Sequence, residues 1–162
     1  MATREHTRRG YPDAIAALAY HRSQQSTGSL SLLSHVFLGV RNFERALEFY
    51  EILMQTLGYE RRFLEVERPW AGWQRPGHDR PLFLIGAPYD GHHHEPGNGQ
   101  MIALLAGSRS DVDRAYDVAL ASGGTSEGKP GLRPEYHQNY YGAYFRDTEG
   151  NKLCVVTHEP EQ

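Results

Sequence analysis

Cysteine is almost missing: Cys154 is the single one in 162 residues. One cysteine excludes an intrachain disulfide and a multi-cysteine zinc site, and it suits a reducing compartment such as the cytoplasm. Excess positive charge is also lacking. Seventeen Lys plus Arg stand against twenty Asp plus Glu, a net charge of −3. With no basic stripe to neutralise phosphates, nucleic acid is not an expected partner. Long apolar runs are absent too. The longest, Leu30 to Val40 and Met101 to Ala106, fall short of the roughly 18 residues a membrane span needs. What remains is a globular composition, 39% hydrophobic and 23% charged. At about 150 residues per domain, the length allows one domain or two small halves.

The first 29 residues read as an N-terminal extension. Ala14 to Tyr20 is apolar, and Asp13 is placed to cap one short helix there. That stretch is too short for a secretory signal core, and Glu5 and Asp13 argue against a transit peptide despite Arg4, Arg8 and Arg9.

Regular patterning begins near residue 33. Residues 34–40 alternate as a strand, with Val36, Leu38 and Val40 on one face and His35, Phe37 and Gly39 on the other. Asn42 opens a predicted helix to about Leu57, whose apolar stripe is Phe43, Ala46, Leu47, Tyr50, Leu53, Met54 and Leu57. Gly58 is placed to end it. Extended segments follow near 60–66, 70–75 and 81–87. The order then repeats: a strand from Met101 to Ala106, a helix with Val112, Ala115, Tyr116, Ala119 and Leu120, and strands near 125–128, 139–146 and 151–157. Gly123 and Gly124 end the second helix, and 147–150 reads as a four-residue turn. This is an internal repeat of about 65 residues, with 89–99 as the linker between modules of about 33–90 and 100–158.

Two motifs are turns rather than chemistry. Gly123 to Pro130 nearly matches a phosphate-binding P-loop. Pro130, however, has no hydroxyl for magnesium, and the loop follows a helix instead of opening one. Gly97-Asn98-Gly99 lacks the third glycine of a dinucleotide fingerprint. His92, His93, His94 and Glu95 read as a solvated linker, because neighbouring residues on an extended loop point apart.

The repeat, together with SHVFLGVRNFERALEFYEILMQTLGY and NYYGAYFRDTEGNKLCVVTH, resembles the vicinal oxygen chelate superfamily of glyoxalases, bleomycin-resistance proteins and extradiol dioxygenases. The resemblance covers about residues 33–158. It implies an α+β fold of two βαβββ modules forming a curled mixed sheet around a central cavity, and a homodimer. It further implies a divalent metal (zinc, iron or nickel) held by side chains of the first and last strands of each module. Carried over, those positions fall on His35, about Phe83, Met101 and Cys154, of which only His35 is a usual ligand.

Strand parity adds the rest. A four-residue turn at 147–150 sets Ala143 against Cys154, so His137, Tyr141 and Cys154 share a face. On that register the cavity is lined by His35, Phe37, Phe83, Met101, His137, Tyr141 and Cys154. Three readings stand side by side. The first is a metal-dependent lyase or dioxygenase with an altered ligand set of His35, Cys154 and Met101. The second is a metal-free small-molecule binder of the bleomycin-resistance kind. His137 and Tyr141 are the catalytic candidates, His137 as a base in a metal-free reaction. The third is a chain whose cavity is closed by side chains, chiefly an interaction or structural module, with His35, Met101 and Cys154 as core.

Overall fold

The computed structural model describes residues 32–161; the extension and the helix expected from Ala14 lie outside them. Module one runs β1 (His35–Gly39), α1 (Phe43–Thr56), β2 (Glu60–Glu65), β3 (Trp70–Gln74) and β4 (Leu82–Gly86). Module two runs β5 (Ile102–Leu105), α2 (Arg109–Ala121), β6 (Thr125–Leu132), β7 (Tyr141–Arg146) and β8 (Lys152–Thr157). Each module folds into one four-stranded sheet, ordered β1-β4-β3-β2 and β5-β8-β7-β6. The first strand lies parallel to the last and the other pairs are antiparallel. This is the expected α+β architecture of two βαβββ modules, although the sheets do not close on each other.

Local chemistry accounts for the helices. The Asn42 side chain accepts from the Arg45 amide at 3.1 Å and opens α1, and Ser108 Oγ accepts from the Asp111 amide at 3.1 Å to open α2. Helix α1 buries Ala46, Phe49, Tyr50, Leu53 and Met54, and α2 buries Val112, Ala115, Tyr116 and Ala119. Both helices share one core with one side of each sheet. Phe49 of α1 meets Phe145 of β7 with ring centroids 6.4 Å apart.

Register decides which side chains face that core. In module one His35 pairs with Leu82 and Phe37 with Leu84, so Val36, Leu38, Phe83 and Ile85 face the helices. In module two Arg146 pairs with Lys152, and Tyr144 with Cys154. The turn therefore holds five residues, 147–151, not four. Asn151 is drawn into it because its amide, like that of Glu149, donates to Asp147 Oδ1, at 2.8 and 2.9 Å. This single slip reverses the expected face of every residue on β7 relative to β8. Ala143, Phe145, Leu153 and Val155 face the helices, while Cys154 and Val156 look away. Strand β6 also extends to Leu132, beyond the expected 128, through two bulges.

Candidate functional site

The sides of the sheets turned away from the helices, the open faces, carry aromatic rings laid over glycines. On sheet one, Phe63 covers Gly72 and packs on Trp70 at 4.4 Å, and Phe37 lies over Gly86. On sheet two, Tyr140 covers Gly142 and Tyr144 covers Gly128. A Cβ at Gly72 would stand 2.5 Å from Phe63, and one at Gly142 would stand 2.9 Å from Tyr140. The missing side chains are what let these rings lie down on the backbone. Leu82, Leu84, Cys154 and Val156 are buried beneath this layer, outside the helix-side core.

Sheet two holds the polar part. Tyr144 Oη donates to Tyr140 Oη at 3.2 Å, and Tyr140 Oη lies 3.5 Å from Cys154 Sγ. Burial, and then the hydrogen bonds with Tyr144 and Cys154, push the Tyr140 phenol far above its ordinary range. Burial also raises the Cys154 thiol. At neutral pH this is a chain of uncharged donors. Tyr136 and His158 rings flank Tyr140 at 5.1 and 5.3 Å, and His137 lies 6.0 Å from His158.

Where the sheets approach each other, a cleft of about 320 Å³ opens between β1, the starts of β5 and β8, and the linker. Phe37 and Met101 both line it, joined by Gly97, Gln100, Asn151 and Lys152. These two are the sequence-derived residues that the structure brings together. Phe37 is 45% exposed and Met101 43%.

Two expected lining residues lie elsewhere. Phe83 faces the helices, packed on Tyr50 at 5.1 Å, because its β1 partner is Val36 rather than His35. Tyr141 also faces the helices. Its hydroxyl donates to Asp113 on α2 at 2.8 Å, and the Arg109 guanidinium sits 5.3 Å from its ring. Its neighbour Tyr140 holds the open-face place that the four-residue turn had given to Tyr141. His137 is exposed in the loop before β7, its Nδ1 accepting from the Asn139 amide at 3.2 Å.

The metal-ligand positions do not form a donor set that fits a divalent ion. His35 is exposed, with Nδ1 3.3 Å from Ser34 Oγ. Phe83 has no donor atom and points into the core. Cys154 is fully buried, and burial disfavours the thiolate that a metal would need. No group of three or more His, Cys, Asp or Glu placed to hold a metal occurs among the described residues.

Sequence reasoning missed Tyr144, His158, Phe63 and Arg133 as a group. The signal was available in the glycines placed inside strands, Gly128, Gly142 and Gly72, which mark a face where rings lie on backbone.

The family sequence model described as Glyoxalase/Bleomycin resistance protein/Dioxygenase superfamily matches residues 32–155. The chain belongs to this superfamily. It is similar to a glyoxalase/bleomycin resistance protein from Albidiferax ferrireducens T118, at 32% identity and TM-score 0.67, over 78% of this chain and 98% of that one. It is also similar to a superfamily member from Sphaerobacter thermophilus, at 25% identity and TM-score 0.52, over 78% and 97% of the two chains. A family enzyme from Burkholderia phytofirmans shares the fold at 18% identity and TM-score 0.58, over 76% and 95%. No curated protein matches. Superfamily membership fixes the scaffold, and the chemistry has to be argued from the site. None of the described helices is long and apolar enough to cross a membrane.

Proposed function

We propose that this glyoxalase-superfamily chain binds a small aromatic molecule on its open faces without a metal ion, as the bleomycin-resistance branch does. The observation that carries this reading is that the cleft lined by Phe37 and Met101 and the hydrogen-bonded pair Tyr144 and Tyr140, laid over Cys154, lie on the same side of the sheets, the side turned away from the helices. It is an apolar surface with a few fixed hydroxyls, the make-up of a small-molecule site. Strands about 4.8 Å apart make the row from β5 to β6 about 14 Å long, enough for two fused rings and a substituent.

The donor set argues against a metal-dependent lyase or dioxygenase. His35, Met101 and Cys154 cannot converge while Cys154 is sealed under Tyr140 and Tyr144. In this reading His35 and His137 are rim contacts, not a metal ligand and a base. Exposed Leu105 on β5 supports pairing with a second copy as a homodimer. The free thiol of Cys154 supports a cytoplasmic setting.

The test is titration of the chelator-treated chain with N-phenyl-1-naphthylamine, whose fluorescence rises in apolar sites. We expect saturable binding, unchanged by added zinc, iron or nickel and weakened at least fivefold in a Phe37→Ala, Met101→Ala double variant. Binding that needs one of those metals and is lost in His35→Ala would instead establish the metal-dependent reading.

A further inference from the structure

Arg133 is a cation of the open face without a carboxylate in ion-pair reach among the described residues. It follows β6 directly, half-buried, with its guanidinium against Gly131 and 5.8 Å from the Tyr144 ring. A Cβ at Gly131 would come within 2.9 Å of Arg133 Nη1, so the glycine makes the seat for the guanidinium. Two of its N–H groups are occupied, Nη1 donating to the Leu132 carbonyl at 3.0 Å and Nη2 to the Lys129 carbonyl at 3.1 Å. A guanidinium has five N–H donors, which leaves three for another partner.

Arg146 and Lys152, cations on the same side of sheet two, share one carboxylate. Glu127 accepts from Arg146 Nε at 2.7 Å and pairs with Lys152 Nζ at 3.2 Å. Arg133 has no carboxylate in ion-pair reach among the described residues; its neighbours are carbonyls and a ring. A fixed positive charge beside two hydrogen-bonded phenols presents both halves of a recognition surface: aromatic rings for a ring and a planar fork for an anion.

We infer that the ligand of this chain is an aromatic anion, a ring bearing a carboxylate or similar acid, stacked on Tyr140 and Tyr144 with its charge on Arg133. This rests on the open-face reading above and adds the ligand's charge to it. The anion needs no metal, because Arg133 supplies the charge that a chelated ion would otherwise provide. Tyr140 and Tyr144 stay protonated near neutral pH and so do not repel the acid; Tyr144 has its one O–H on Tyr140, which leaves the Tyr140 O–H to turn from Cys154 and donate to it.

The test uses a matched pair of probes, 8-anilinonaphthalene-1-sulfonate and N-phenyl-1-naphthylamine, the same ring system with and without an acid. The full chain is expected to bind the sulfonate about tenfold more tightly than the amine, as one charge-assisted contact gives. Raising sodium chloride from 0.05 to 0.5 M should weaken only the sulfonate. Arg133→Met should remove the tenfold preference and leave the amine unchanged, Arg133→Lys should keep part of it, and Lys129→Met should change neither probe. Equal binding of both probes to the parent chain overturns the anion inference and leaves the aromatic site standing. Binding of neither overturns the aromatic site, and the anion with it. Loss of both probes in Arg133→Met, with the urea midpoint unchanged, makes Arg133 a packing residue and overturns its assignment as the anion's partner. Should Arg133→Met fail to fold, the salt titration and Arg133→Lys decide the same question.

Discussion

Asp147 is 4% exposed and gathers four hydrogen bonds on one carboxyl group. Oδ1 takes the amides of Glu149 and Asn151, and Oδ2 takes Tyr50 Oη at 2.5 Å and Asn151 Nδ2 at 2.9 Å. The next links cross to module one. Asn151 Nδ2 also donates to the Gly39 carbonyl at 3.1 Å, and Glu149 Oε2 accepts the amides of Arg41 and Asn42 at 2.7 and 3.3 Å. The turn thus ties the β7–β8 hairpin to the β1–α1 junction. Removing Asp147 leaves buried donors unpaired, so Asp147→Ala should cost about 3 kcal/mol, and Tyr50→Phe, which loses one bond, about 1.5 kcal/mol. Urea unfolding midpoints check both. Equal and negligible costs would mean that the network is not a structural tie. The sequence displayed DTEGN openly, and the turn itself was legible. Its length was not, because that depends on a side-chain carboxylate capturing the amide of Asn151.

Among elements, the helices were the most legible and the strand faces the least. Asn42 and the three-and-four spacing of Ala46, Tyr50 and Leu53 state a helix with no knowledge of its neighbours. A strand's face, by contrast, depends on a partner. Register between β7 and β8 followed from one residue of loop length, and Tyr140 and Tyr141 exchanged places with it. The end of α2 shows a similar division of labour. Gly123 takes the left-handed turn with φ 95°, as a helix-ending glycine should. Gly124 has another reason. A Cβ there would stand 2.8 Å from the carbonyl oxygens of both Ala119 and Arg146, where β6 begins against β7. Backbone cannot move aside as a flexible side chain can. Gly124→Ala should therefore destabilise by about 2 to 3 kcal/mol, and Gly72→Ala, which meets only Phe63 and Leu84 side chains, by less. Thermal melts of the two variants would reveal the order, and a milder Gly124→Ala would refute it.

At the scale of the whole molecule, buried phenols set the alkaline limit of stability. Tyr50, fully buried beside Asp147, has its phenol raised well above 10, first by desolvation and then by the charge and hydrogen bond of Asp147. The unfolded chain releases this proton near pH 10 while the folded chain keeps it, so above that point the unfolded state binds fewer protons and stability falls as pH rises. Below pH 10 the contribution is fully present. Burial raises Tyr59, Tyr140, Tyr141 and Tyr144 in the same direction, which steepens the alkaline limb of the parent chain and of any Tyr50 variant alike. Comparison of the parent with Tyr50→Phe cancels those shared terms. The parent's advantage of about 1.5 kcal/mol should hold constant from pH 7 to 9, then shrink by about 1.4 kcal/mol per pH unit above 10 and vanish near pH 11. Urea midpoints at half-unit pH intervals would trace that crossing. An advantage that persists at pH 11 would show that Tyr50 ionises no less readily in the fold than outside it, and would remove the Tyr50–Asp147 bond as the tie between modules.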